Sequence, residues 1–402
     1  MAKIVESLKK LSVENGVSSQ LSSFNYKAEF VPTVEERVSL DEQNYVLALC
    51  GTQSDDEFKI GAALADHTCV IYSAGEQFRK LMSLEHNQSS VVGIKFSPSS
   101  RHIVYIASSD GTVSVCDLRA KGKVIAQFKD NTEDGKLKPL ASFDISCDER
   151  LVAGGTEHIG GDAFILFWDV RYSNSKVNAK NSLLGGYWES HMDDITSLSF
   201  HWNKKDILAS GSTDGLINVF DLTQTCEDSA LTYSLNTESS VDRIGWLTNE
   251  NLWCITHTHT IQLWNCEDAT PYNKFERSHL CLSPKDDPES YYFVRIHAHS
   301  TFGNPYLIAG LSSPKGDDLK CLSLGKNCLE PYYDFSGNKQ LVRDSWLHEK
   351  SGCLVTGGEA GIINIWRQTE SLSVPKNTNN KRPAKTGAEK SRNDKNHRIK
   401  PY

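Results

Sequence analysis

Apolar residues in this chain recur in short runs separated by turn-forming residues, and no long stretch carries a helical period. The stretch GSTDGLINVFD (211–221) sets the pattern. A hydroxyl–Asp–Gly turn leads into a segment apolar on both faces, with Ile217 and Val219 on one side and Leu216 and Phe220 on the other. Asp-Gly between two apolar runs predicts a strand–turn–strand, because glycine adopts positive φ without steric cost. Relatives of the stretch lie at 64–75, 108–119, 159–171, 256–268, 315–325 and 357–368. A turn residue precedes a bulky one by six positions in each: Asp66 and Tyr72, Asp110 and Cys116, Asp162 and Trp168, Asp214 and Phe220, Thr258 and Trp264, Asp318 and Leu324, Ala360 and Trp366. These seven units are spaced 42 to 60 residues apart, near the length of a four-stranded propeller blade.

A second signal runs in step. Apolar runs ending in an aromatic precede several units: VVGIKF (91–96), PLASF (139–143), ITSLSF (195–200), VDRIGW (241–246) and VRDSW (342–346). Each is followed by a polar turn and another short strand. Short strands at regular spacing predict an all-β ring, and runs apolar on both faces suit strands sandwiched between neighbouring sheets. A ring must close. NYKAEFVPTV (25–34) can supply the outer strand of the last blade, with Pro32 tolerable at an edge.

The units resemble the WD-repeat family of β-propellers over roughly residues 40–369, most closely in FWD (167–169) and VFD (219–221). The resemblance implies a seven-bladed ring and, in each blade, a tetrad of His, Ser/Thr, Asp and Trp. The fourth unit offers His191, Ser210 and Asp214, but Phe220 replaces the Trp and has no N–H to donate. The third offers Asp162 and Trp168, with Gly154 where the hydroxyl belongs.

Composition narrows the classes. No apolar run approaches the ~18 residues of a membrane span, and MAKIVESLKKLSVENG lacks the apolar core of a secretory signal. The 11 cysteines include no C-x-x-C pair, which favours reduced thiols in an intracellular protein over zinc ligands or disulfides. The net charge of −8 is unevenly spread. Residues 371–402 carry nine Lys/Arg and two Asp/Glu, a net of +7, so the remainder carries −15. An acidic body is a poor nucleic-acid surface.

Catalytic motifs are sparse. No Lys follows the glycines as in a phosphate-binding loop, and G-x-S-x-G does not occur. His257 with His259, and His297 with His299, are i, i+2 pairs that would share one face of a strand, but no carboxylate or Cys stands at a supporting interval. The expectation is a protein that is not an enzyme and carries no cofactor or metal.

Interaction signals are stronger. Asp117-Leu118-Arg119 and Trp168-Asp169-Val170-Arg171 end consecutive units. They look like the double W-D-x-R box of propellers that act as substrate receptors on cullin-type ubiquitin ligases. The resemblance implies that Arg119 and Arg171 dock a ligase adaptor, a task suited to the guanidinium fork. Cys116 departs from the motif Trp. Arg243 and Arg343 occupy matching places in inner strands, where they either pair with acidic residues of the ring or face a partner peptide at the channel mouth.

The tail, 370–402, has the composition of a disordered segment. Lys381, Arg382 and Lys385, then Lys395, Arg398 and Lys400, are spaced like a bipartite nuclear-import signal. Taken together, the expectation is an N-terminal extension (1–24), an all-β, seven-bladed WD-repeat β-propeller (25–369) and a disordered basic C-terminal tail (370–402). Function is expected to be that of a monomeric, non-catalytic scaffold for protein–protein interaction. Its partners would be proteins or peptides, including a ubiquitin-ligase adaptor and a nuclear import receptor. It would have no membrane contact, and nucleic acid would bind weakly through the tail. Its location would be nuclear or nucleocytoplasmic; one alternative role is a nuclear scaffold in ribosome or chromatin assembly, and another, of a different class, is a propeller enzyme.

Overall fold

A computed structural model describes residues 28–368 apart from 40–42, 55–56, 86–88, 131–136, 172–182, 282–286, 299–304, 314–315 and 326–327. The basic tail, the 1–24 extension and His299 lie outside the described residues.

Strand β1 (Ala28–Arg37) comes first. The first sheet contains β2 (Val46–Gly51), β3 (Phe58–Leu64), β4 (Cys69–Ala74) and β5 (Phe78–Leu84). The second has β6 (Val91–Phe96), β7 (Ile103–Ser108), β8 (Thr112–Asp117) and β9 (Lys123–Lys129). The third has β10 (Leu140–Ile145), β11 (Leu151–Thr156), β12 (Ala163–Asp169) and β13 (Leu183–His191). The fourth has β14 (Ser197–Phe200), β15 (Ile207–Gly211), β16 (Leu216–Asp221) and β17 (Leu231–Asn236), with a one-turn helix α1 (Glu227–Ala230) before its last strand. The fifth has β18 (Val241–Trp246), β19 (Asn251–Thr256), β20 (Thr260–Asn265) and β21 (Asn273–Glu276). The remaining strands are β22 (Tyr291–His297), β23 (Tyr306–Ser313), β24 (Gly316–Leu324), β25 (Leu329–Phe335), β26 (Val342–His348), β27 (Cys353–Gly358) and β28 (Ile362–Gln368).

The molecule is an all-β propeller. Where seven blades were expected, five four-stranded sheets stand alone as blades, and the other eight strands form one sheet in the order β22-β23-β24-β25-β1-β28-β27-β26. The cause is β1. It pairs antiparallel with β28 from Phe30 to Arg37, and its first three residues also pair parallel with β25, Ala28 opposite Tyr333 and Phe30 opposite Phe335. Pro32, which cannot donate to a ladder, stands beside the register shift between Pro32 and Val34.

Burial follows strand position. Central strands β4 and β27 are buried at every residue, whereas outer strands β9 and β17 alternate between exposed and covered positions. Between sheets two and three, Tyr105, Phe128, Leu140 and Trp168 form one apolar cluster. The turn aspartates work as expected at three units: Asp66, Asp110 and Asp214 each accept a backbone N–H two residues on, and Gly111 and Gly215 follow the latter two with φ of 86° and 89°. At the sixth unit the reading is corrected. Asp318 lies inside β24 opposite Leu311, because β23 and β24 extend past it to the pair Ser313 and Gly316.

Candidate functional site: the channel and the Asp-x-Arg corners

The two Asp-x-Arg corners share one geometry. Asp117 ends β8, and its Oδ1 accepts from Arg119 backbone N (2.9 Å) and Nε (3.0 Å), while Oδ2 accepts from Nη2 (2.8 Å). Asp169 ends β12, and its Oδ1 accepts from Arg171 backbone N (2.9 Å) and Nε (2.9 Å), while Oδ2 accepts from Nη2. The carboxylate therefore fixes the backbone turn and aims the guanidinium together. These bonds hold both carboxyls below the usual range. The arginine side chains remain 63% and 62% exposed. Trp168, grouped with them on sequence grounds, contributes only to the interior. It is fully buried, and its Nε1 donates to the Lys129 carbonyl at 3.0 Å. The corner after β16 keeps the turn but loses the cation: Asp221 accepts from Thr223 N at 3.0 Å.

The inner strands β2, β6, β10, β14, β18, β22 and β26 line a cavity of 1120 Å³. Register corrects one expectation here. Six of these strands carry a bulge near the start, and the residue after it is Ala48, Gly93, Ser142, Arg243, Arg295 or Asp344. Arg243 thus matches Asp344. Arg343 sits on the bulge, one residue out of register, and does not line the cavity. It pairs instead with Glu359 (2.8 Å) and lies over the Tyr45 ring.

Asp344 is the hub of the lumen. Its Oδ1 accepts from Arg243 Nη1 (3.2 Å) and Ser345 N (2.9 Å) and is ion-paired to Arg295 Nη2 (3.1 Å), and its Oδ2 accepts from Leu49 N (2.8 Å). Four inner strands, β18, β22, β26 and β2, meet on one carboxylate. Lys95 pairs with Asp144, whose Oδ2 accepts from Phe200 N at 2.8 Å and so links β10 to β14. Reading the sequence missed Lys95, Asp144, Arg295 and Asp344. The signal that finds three of them is a charge two or four places after the apolar residue opening an inner strand, as in VVGIK, LASFD and VRD. YYFVRIH (291–297) escaped because β22 was not recognised as an inner strand.

Other predicted features fall as follows. His191 Nδ1 lies 2.9 Å from Asp214 Oδ2, and Nε2 lies 2.7 Å from Ser210 Oγ. A carboxylate only accepts, so Nδ1 carries the proton and Nε2 receives the Ser210 hydroxyl. His257 and His259 flank the β19–β20 turn, with His257 4.0 Å from Asp242. Among the described residues no group of three His, Cys, Asp or Glu could hold a metal ion, and no helix is long and apolar enough to cross a membrane. No disulfide links the described cysteines. Seven of them, including Cys50, Cys69 and Cys116, are buried, and burial pushes the Cys50 thiol up to about 12.

Comparison with known proteins agrees with this geometry. The family model for the WD domain, G-beta repeat, matches residues 78–117 and 184–221. Each match runs from one outer strand through the first three strands of the next sheet, β5 to β8 and β13 to β16. Two of the chain's units thus match the WD repeat, and the relatives it resembles are WD repeat-containing proteins. The chain is similar to an uncharacterized WD repeat-containing protein of Saccharomyces cerevisiae, 29% identical over 322 residues, covering 76% of this chain and 75% of the relative. WD repeat-containing protein GTS1 of Arabidopsis thaliana is 27% identical over 299 residues, covering 73% of this chain and 66% of that one. The WD repeat-containing protein 89 homolog of Dictyostelium discoideum is 24% identical over 225 residues, covering 53% and 59%. On their residues, the stretches 142–171 and 191–221 look like WD repeat-containing protein 89.

Proposed function

We propose that this protein is a seven-bladed, non-catalytic interaction scaffold that works as a substrate receptor of a cullin-type ubiquitin ligase. Counting the eight-stranded sheet as two blades bridged by β1 gives seven. Seven apolar clusters support that count, each joining one four-stranded unit to the next around the ring. The observation that carries the receptor reading is the pair of Asp-x-Arg corners on neighbouring sheets, with the same hydrogen-bond pattern and near-equal exposure. A clamped guanidinium loses little further freedom on docking. The test is co-purification with the ligase adaptor from cells expressing the chain. Arg119→Ala with Arg171→Ala should abolish recovery, and unchanged recovery sinks the reading.

The charge asymmetry of the chain favours a second reading, a nuclear scaffold in ribosome or chromatin assembly. Here Lys381, Arg382, Lys385, Lys395, Arg398 and Lys400 provide the address read by an import receptor. A fluorescent fusion lacking 376–402 should then leave the nucleus. If it stays, the address lies elsewhere.

A further inference from the structure

The lumen holds its charges asymmetrically. The carboxylates of Asp144 and Asp344 are buried, at 9% and 3% exposure, and are saturated by backbone N–H groups and cations. The cations are the accessible partners: Lys95 is 42%, Arg243 28% and Arg295 35% exposed. Arg243 and Arg295 share a single Asp344 oxygen, and Arg243 Nε also lies 3.8 Å from Asp242. Among the described residues, Arg295 Nε, a buried donor, has no hydrogen-bond partner. Burial, with Arg243 beside it, pulls Arg295 below the usual guanidinium range against the attraction of Asp344. The two other carboxylates lining the cavity are Asp242, on the bulge beside His257, and Glu349, in the turn that follows β26.

We propose that the lumen binds an acidic peptide segment, with a side-chain carboxylate seated on Arg243 and Arg295. An anion there gives the Arg243–Arg295 pair a further carboxylate acceptor, in the bidentate pairing that guanidinium groups favour. The cavity's size argues for a segment of chain and not a lone ion. At 1120 Å³ it exceeds the range of about 300–1,000 Å³ of small-molecule pockets. Its lining also includes Trp202 and Tyr272, 62% and 46% exposed, an apolar contact for residues flanking the acid. A phosphorylated side chain shares the chemistry, and the test separates the two. The inference rests on the reading of the ring as an interaction module and names what one of its surfaces recognises.

The test is selection of a random dodecapeptide display library on the full chain at about 150 mM salt, followed by fluorescence anisotropy with the enriched peptides. Enriched peptides should share an Asp or Glu. Arg295→Gln and Arg243→Gln should each weaken binding about tenfold or more, the loss expected for one charged hydrogen bond. Lys80→Gln, which removes an exposed positive charge on outer strand β5, should bind as the unmodified chain does. Replacing the shared acid by phosphoserine tightens binding if the partner is phosphorylated and weakens it if a carboxylate is read. Either result keeps the site. Should a channel variant not fold, displacement of the peptide by millimolar inorganic phosphate on the unmodified chain decides the matter, and no displacement overturns the proposal. Enriched peptides without a shared acid, or bound equally by correctly folded channel variants, also overturn it and leave the interaction-module reading standing. If no peptide enriches, the channel site fails, while the scaffold reading is judged separately by adaptor co-purification.

Discussion

Replacing Asp344 by Ala should be among the most destabilising single changes in the inner wall. Asp344 is 3% exposed at the side chain and accepts three hydrogen bonds, two from backbone N–H groups and one from Arg243, beside an ion pair with Arg295. The change orphans Leu49 N, at about 1–3 kcal/mol for a buried unpaired donor. It also strips both arginines of their carboxylate. Breaking a buried pair costs roughly 3–5 kcal/mol, less here because each side chain keeps about a third of its surface in water. A total near 4 kcal/mol is expected. It falls on the seam between the last and first inner strands, which Gln53 Nε2 also bridges to the Leu347 carbonyl at 2.9 Å.

The assay is equilibrium urea unfolding followed by tryptophan fluorescence, reading the midpoint at constant slope. Asp344→Asn retains one acceptor and should lose about half as much. Adding Arg295→Met to Asp344→Ala should recover part of the loss, because it removes a charge with nothing left to pair with. If Asp344→Ala unfolds within about 1 kcal/mol of the unmodified chain, or if Arg295→Met deepens the loss additively, the hub argument is wrong.

Other consequences follow from single contacts. Phe30→Ala removes a ring packed 4.7 Å from Tyr333 and 5.2 Å from Phe335, and should cost about 3–5 kcal/mol and open β1 to limited proteolysis. Burial raises the Asp214 carboxyl, but the His191 bond and the Leu216 and Met192 amides leave it below its ordinary value. Its contribution is therefore full above about pH 4 and lost as pH falls through the folded-state value, so the stability gap to Asp214→Asn should shrink in acid titrations. Phe220→Trp, though it restores the family residue, should destabilise by about 1–3 kcal/mol in the same urea assay, because the ring is fully buried 4.9 Å from Tyr187 and has no room to grow.

Local chemistry was legible in the sequence, and whatever depends on register was not. Asp214-Gly215 announces its turn because the chemistry lies within the turn itself. The merging of sheets by β1 depends on how far three residues reach sideways to β25, and no periodicity encodes that reach. Arg243 and Arg343 looked equivalent because VDR and VRD have similar composition. In a strand, one residue of slip exchanges one face of the sheet for the other. The corners were found because Asp and Arg lie two residues apart, but the burial of Trp168 between them and the core is a tertiary fact.

The worn tetrads show why the fold outlasts its signature. In the fourth sheet, His191 ties the segment before β14 to Asp214 in the next turn. In the first, Asn44 does the same with Asp66, donating to Oδ2 at 2.7 Å and accepting from the backbone N at 3.2 Å. In the seventh unit, Gln340 reaches both the carbonyl and the N–H of Ile362, while Trp366 Nε1 donates to Thr356 Oγ1 at 2.8 Å. In the fifth, Gln262 donates to the Thr237 carbonyl and accepts from Trp264 Nε1. Each unit keeps a different part of the network, yet each pins the chain entering an inner strand to the hairpin beside it. What the geometry requires is a buried donor–acceptor pair across that gap, and several residue types supply one. A motif search looks for His and Trp and sees decay. The ring requires the hydrogen bond, and every one of these four units makes it.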